Sequence, residues 1–109
     1  MRRRNRFLTV IKNMAGWDEY DHGVDESTNM INHVMEEEEF TELWNSNFFA
    51  AINEECDLLI DDYESEILKP DAISYGLKLF KDYPGLPRKE MYKAMNEAKK
   101  YNIALCFDF

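Results

Sequence analysis

The side chains in this chain that could do chemistry are two histidines, two cysteines and 22 carboxylates. His22 and His33 are too few for a histidine-rich metal site. His33 and Glu36 supply only an H-x-x-E spacing, for which a solvated or hydrogen-bonded helix residue is the plainer role. The stretch "DEYDHGVDE" sets acids around Gly23 in the manner of a calcium loop. With Gly23 at the sixth position, however, Tyr20 and His22 fall at the third and fifth and Asn29 at the twelfth, where oxygen ligands and a bidentate glutamate belong. Cys56 and Cys106 stand 50 residues apart among apolar neighbours, which reads as two free buried thiols rather than a redox, metal or disulfide pair. Neither has a basic neighbour that would favour a thiolate, and no glycine-rich phosphate loop occurs. Acid–base work by paired carboxylates needs environments that push two pKa values apart, which carboxylates on a solvent face lack. The sequence therefore implies no catalytic residue, no cofactor and no metal, and the expectation is a protein that is not an enzyme.

What sets the carboxylates apart is their distribution. Residues 1–16 carry five basic and no acidic side chains, residues 17–71 eighteen acidic and one basic (Lys69), and residues 72–109 seven basic and four acidic. The net charge of −9 thus conceals a middle half at −17 between ends at +5 and +3. Such an asymmetry bears on partners rather than on fold. A nucleic-acid-binding surface would have the opposite sign, and "RRRNR" lacks interleaved aromatics, so it reads as a solvated arm lying against the protein's own acids. Like charges at i and i+4, such as Asp57 and Asp61, cost a helix about 0.2–0.5 kcal/mol per pair, and a cationic partner would offset that penalty. The candidate partner-binding residues are Asp18, Tyr20, Asp21, Glu36, Glu37, Glu38, Glu39, Trp44, Glu54, Asp57, Asp61, Asp62 and Glu64. Trp17, Tyr20 and Trp44 are available as aromatic anchors inside the charged rim, with core packing as their competing role.

These residues need a scaffold. A chain of 109 residues with 45% hydrophobic content, 4 Gly and 3 Pro suits one domain over 1–109 and leaves little material for the turns of a sandwich or barrel. The expected fold is all-α, a compact bundle of about five helices with an extended apolar C-terminal tail. Phe7, Leu8, Val10, Ile11 and Met14 suit a short helix closed by Gly16, although "RFLTVI" is also an acceptable strand. "GWDEYDHGVDE" reads as an acidic loop, after which Ser27 caps a helix carrying Met30, Ile31, Val34 and Met35. Phe48, Phe49, Ile52, Cys56, Leu59, Ile60, Tyr63 and Ile67 share one face of a helix from about Ser46 to Leu68, with Glu54, Asp57 and Asp61 opposite. Pro70 stops that helix and opens another carrying Ile73, Leu77 and Phe80 to about Tyr83, and Pro87 opens a last one carrying Met91, Ala94, Met95, Ala98 and Tyr101. The tail "IALCFDF" alternates like a strand and is expected to dock extended on the helices. The alternative is α+β, with a small sheet pairing residues 6–11 and 103–109.

"MRRRNRFLTVIKNMAG" lacks the apolar core of a signal peptide and no run approaches a membrane span, so a cytoplasmic protein is expected. In size, in lacking catalytic motifs, and in "DEYDHGVDE", "MEEEEF" and "DLLIDDYESE", the chain resembles small acidic bacterial immunity proteins that neutralise nuclease toxins of contact-dependent inhibition or colicin-like systems. The resemblance implies a monomer in a one-to-one complex whose carboxylates cover a basic active site or nucleic-acid-binding surface, with no direct nucleic-acid or membrane contact. The alternative is a nucleic-acid mimic or acidic adaptor acting on another DNA- or RNA-binding protein.

Overall fold

The computed structural model describes residues 6–24, 26–61 and 65–109, and in it "RFLTVI" is a strand, β1 (Arg6–Ile11). Its alternation places Leu8 and Val10 on one face and Thr9 and Ile11 on the other, all four buried. A strand can be covered on both faces, whereas a surface helix buries a single stripe. β1 pairs antiparallel with β2 (Met30–Met35) on one side and β4 (Ala104–Asp108) on the other. β3 (Ser65–Leu68) joins the far side of β4, completing the order β2-β1-β4-β3. Five helices complete the chain: α1 (Met14–Asp21), α2 (Glu37–Asn45), α3 (Phe48–Cys56), α4 (Pro70–Asp82) and α5 (Glu90–Tyr101).

The architecture is therefore α+β, and the expected all-α bundle is incorrect. The C-terminal tail does not dock on helices. It pairs with β1 in the register Leu8 to Phe107 and Val10 to Leu105, the small-sheet alternative widened to four strands. The reason is that both tail faces find cover. Leu105, Phe107 and Phe109 pack with Phe48, Phe49, Phe80, Met91 and Met95 from α3, α4 and α5, while Ala104 and Cys106 pack under Trp17 and Tyr20 of α1. Helices α2 to α5 thus cover one face of the sheet and α1 the other.

Three further expectations change. Met30, Ile31, Val34 and Met35 belong to β2, not to a helix, because their spacing serves two strand faces as well as one helical stripe. Ser27 caps nothing helical; its hydroxyl donates to Glu19 and accepts from the Asn29 N–H. "GWDEYD" is helical rather than a loop, with Asn13 as N-cap accepting the Gly16 N–H at 2.9 Å. Gly16 opens this helix instead of closing an earlier one. Finally, the helix expected from Ser46 to Leu68 stops at Cys56, since Asp57 takes a left-handed φ of 55°. Beyond it, the Asn53 side-chain amide accepts the Ile60 N–H and donates to the Ile60 C=O, turning the chain toward β3. Ile60 and Leu68 still reach the core, while Leu59 is exposed.

Pro70 occupies the first turn of α4, as the sequence indicates, whereas α5 starts at Glu90, three residues after Pro87. Arg88 spans that gap by donating to the carbonyls of Phe80 and Pro84. Gly16 has a specific packing duty: a Cβ there would lie 2.3 Å from the Asn29 carbonyl oxygen. Gly16→Ala should therefore push α1 off the sheet and destabilise the fold by about 1–3 kcal/mol in denaturant titration. An unchanged midpoint would mean that α1 sits farther from Asn29.

Candidate functional site

A helix turn sends successive side chains in different directions, and this divides the glutamate run. Glu36 is the extended N-cap of α2, and Glu37, Glu38 and Glu39 fill its first turn, where the helix terminus favours negative charge. Glu37 accepts from Arg6 through Nε at 2.8 Å and Nη2 at 3.0 Å. The Arg6 side chain is only 4% exposed, and its guanidinium lies 3.6 Å from the centre of the Phe40 ring. Glu39 is 2% exposed and accepts the N–H groups of Glu90 at 3.2 Å and Met91 at 2.9 Å, serving as the cap that α5 lacks at Lys89. Burial pushes the Glu39 carboxyl above the usual glutamate value, and the two N–H bonds offset only part of that. Glu36 and Glu38 are exposed. Two of the four glutamates thus serve the fold and two face outward.

Glu36 lies beside Arg88, Lys89 and Lys93 at the start of α5, whereas Glu38 joins a series of exposed acids. Glu38 and Glu42 on α2, Glu54 and Glu55 on α3, and Asp57 and Asp61 beyond it are all exposed. Between the helices lies a depression of about 180 Å³ lined by Trp44, Asn47, Ala50 and Asn53. Trp44 is 43% exposed, with its inner side stacked on Phe40 at a centroid distance of 5.7 Å. It is half core and half surface. Asp62 and Glu64 lie outside the described residues.

The acids of α1 are not part of this surface. Asp18 and Asp21 are exposed on the opposite side of the sheet, and Glu19 is turned inward, accepting from Ser27 and Asn29. Tyr20 packs over Cys106, where burial pushes both the phenol and the thiol up to about 12. Tyr20 therefore covers the sheet and does not present its ring to a partner. Trp17 likewise packs on this face. Exposed lysines sit on α4 and α5, at Lys78, Lys81, Lys89, Lys93, Lys99 and Lys100.

One constellation escaped the sequence reading. His33 is a strand residue held between two carboxylates of α5, with Nδ1 at 3.0 Å from Glu90 and Nε2 against Glu97. The available signal was Glu90 and Glu97 spaced seven apart on one helix face. These two carboxylates lie on opposite sides of the ring and do not converge on a common point. Among the described residues, no group of three His, Cys, Asp or Glu side chains is placed to hold a metal ion. A groove of about 850 Å³ is lined by Trp17, Cys56, Leu58, Ile67, Asp71 and Tyr75, but burial and then nearby Glu55 and Asp71 hold the Cys56 thiol up, away from nucleophilic thiolate. Both cysteines are free. Among the described residues no helix is long and apolar enough to cross a membrane. Comparison with protein-family models, curated proteins and solved structures gave no match to this chain.

Glu39→Ala should cost about 1–3 kcal/mol, because it strands the two N–H groups of α5. Since the folded carboxyl titrates above its unfolded value of 4.5, its ionisation opposes folding, so stability of the unmodified chain should rise relative to Glu39→Gln as pH falls through the raised value. Chemical denaturation of both proteins across that range measures the sign. An aromatic disulfide reagent at mildly alkaline pH should leave Cys106 unmodified until the protein unfolds. Rapid labelling of folded protein at Cys106, read by peptide mass, would contradict the packing under Tyr20.

Proposed function

We propose that this chain is an acidic binding protein that neutralises a basic partner, acting as an immunity protein that inhibits a nuclease toxin. The observation that carries the reading is the half-exposed Trp44, which with Asn47, Ala50 and Asn53 lines a depression between α2 and α3, together with the exposed acids of the same region of the chain, Glu38 and Glu42 on α2, Glu54 on α3 and Asp57 at its end. Exposed carboxylates accelerate encounter with a cationic surface, and a fixed aromatic supplies apolar contact once the surfaces meet. A nuclease suits such a surface because its active site must attract phosphates. In this reading the carboxylates occupy the ground of the nucleic-acid backbone, and the inhibitor itself performs no chemistry.

The test is inhibition of candidate basic nuclease toxins, each titrated with the chain to stoichiometric excess at low and high salt. Inhibition should saturate at one chain per nuclease and weaken with salt. The triple substitution of Glu38→Gln, Glu54→Gln and Asp57→Asn should leave the unfolding midpoint within about 0.5 kcal/mol of the original and slow association at least about tenfold. Glu37→Gln and Glu39→Ala should instead lower stability, since Arg6 and the first turn of α5 depend on these side chains. Full nuclease activity at stoichiometric excess would overturn the proposal.

A further inference from the structure

The seam between α3 and α4 is open along its outer side. Phe48, Ala51 and Glu55 of α3 recur at three and four residues, as do Asp71, Tyr75 and Leu79 of α4 with Tyr83 at its C-cap, so each set forms one stripe. The stripes run in opposite directions. Phe48 and Ala51 share a depression of about 660 Å³ with Leu79 and Tyr83, whereas Glu55 shares the groove of about 850 Å³ with Asp71. Tyr75 lines both, which makes them two halves of one channel.

The halves differ in character. Among the described residues no charged side chain lines the first, where Tyr83 is 60% exposed and the turn through Pro84 and Leu86 closes the end. The second carries Glu55, Glu66 and Asp71 against Lys69. Glu66 already accepts the N–H groups of Leu59 and Ile67. Glu55 and Asp71 are exposed, and among the described residues neither has a hydrogen bond or ion pair. Burial and then nearby Glu55 push the Tyr75 phenol above its ordinary value, so its O–H stays a donor where the halves meet.

Such a channel selects an occupant with one apolar half and one cationic half. Asp71 and Tyr83 lie about 18 Å apart along the helix at about 1.5 Å per residue, a span that a polyproline II segment covers in about six residues. The apolar half is walled by helices and a turn, so a peptide cannot add to it as a strand. Its donors are side chains instead, the phenols of Tyr75 and Tyr83 and the Asn47 amide. A polyproline II segment suits them, because its carbonyls have no internal hydrogen bonds and its rings pack on aromatic walls.

We propose that the α3–α4 channel docks a proline-rich segment of a partner protein, with its prolines between Tyr75 and Tyr83 and an arginine or lysine at Glu55 and Asp71. Ala50 and Asn53, beside Trp44, lie on the opposite side of α3 from Ala51 and Glu55, so this surface is separate from that of the proposed function.

Fluorescence anisotropy of a PPLPRR peptide, labelled at its proline end and titrated with the chain, tests it without any nuclease. The expected result is saturable one-to-one binding that weakens with salt, and PPLPEE should bind at least about tenfold more weakly. Tyr83→Ala, and separately Glu55→Gln with Asp71→Asn, should each weaken PPLPRR binding at least about fivefold while leaving the circular dichroism spectrum unchanged. No saturable change up to about 1 mM chain would overturn the proposal. So would equal binding of PPLPEE, affinity that both folded variants retain, or tighter binding of a helix-forming peptide of the same charge.

Discussion

A guanidinium enclosed by aromatic rings is costly unless its charge is answered, and Arg6 is such a group. It sits at the start of the central strand, over Phe40 and near Phe109, with the Glu37 carboxylate gripping two of its nitrogens. That single pairing joins the amino-terminal strand to α2 and sets the rotation of the helix. With Glu37 directed at Arg6, Glu39 two residues on is carried into the core, where it meets the first turn of α5. Phe40 and Leu43 then complete the aromatic cluster around Phe49, Phe107 and Phe109. Strand, helix and carboxyl-terminal strand are thereby fixed to one another by a few charged contacts placed over an apolar floor.

The same rotation decides what the surface presents. Glu38 and Glu42 turn outward because Glu37 and Glu39 turn inward, and Trp44 emerges half-covered at the end of that helix. The left-handed Asn47 lets α3 return beside α2, which brings Ala50 and Asn53 next to Trp44. Lys78, Lys81, Lys93, Lys99 and Lys100 are exposed on α4 and α5. The division of charge along the chain is therefore also a division in space, with exposed acids on α2 and α3 and exposed lysines on α4 and α5.

Elements whose pattern had a single solution were legible in the sequence. Pro70 can only open a helix after an extended residue, and Met91, Ala94, Met95 and Ala98 have no strand-like reading. The tail's alternation was equally plain, and its pairing with residues 6–11 was named as the alternative; spacing could not choose it over docking on helices, because "RFLTVI" suits a strand or a short helix alike. Met30, Ile31, Val34 and Met35 satisfy a helix and a two-faced strand alike, so tertiary pairing settled what spacing left open. The run from Phe48 to Ile67 misled for a related reason: a left-handed residue and an asparagine clamp can return a chain to the same core that a continuing helix would have reached. The charge layout was read correctly as a distribution. Which carboxylates are internal was hidden, because it depends on Arg6 and the α5 terminus, 31 and 52 residues from their partners.

Residue-resolved NMR of the chain with and without an equimolar basic candidate nuclease is the most direct measurement. The expected result is loss or shift of the Trp44 indole N–H together with the amides of Glu38, Glu42, Glu54 and Asp57, while α1 is unmoved. Changes centred on Asp18 and Asp21, with Trp44 undisturbed, would contradict the assignment of the α2–α3 surface.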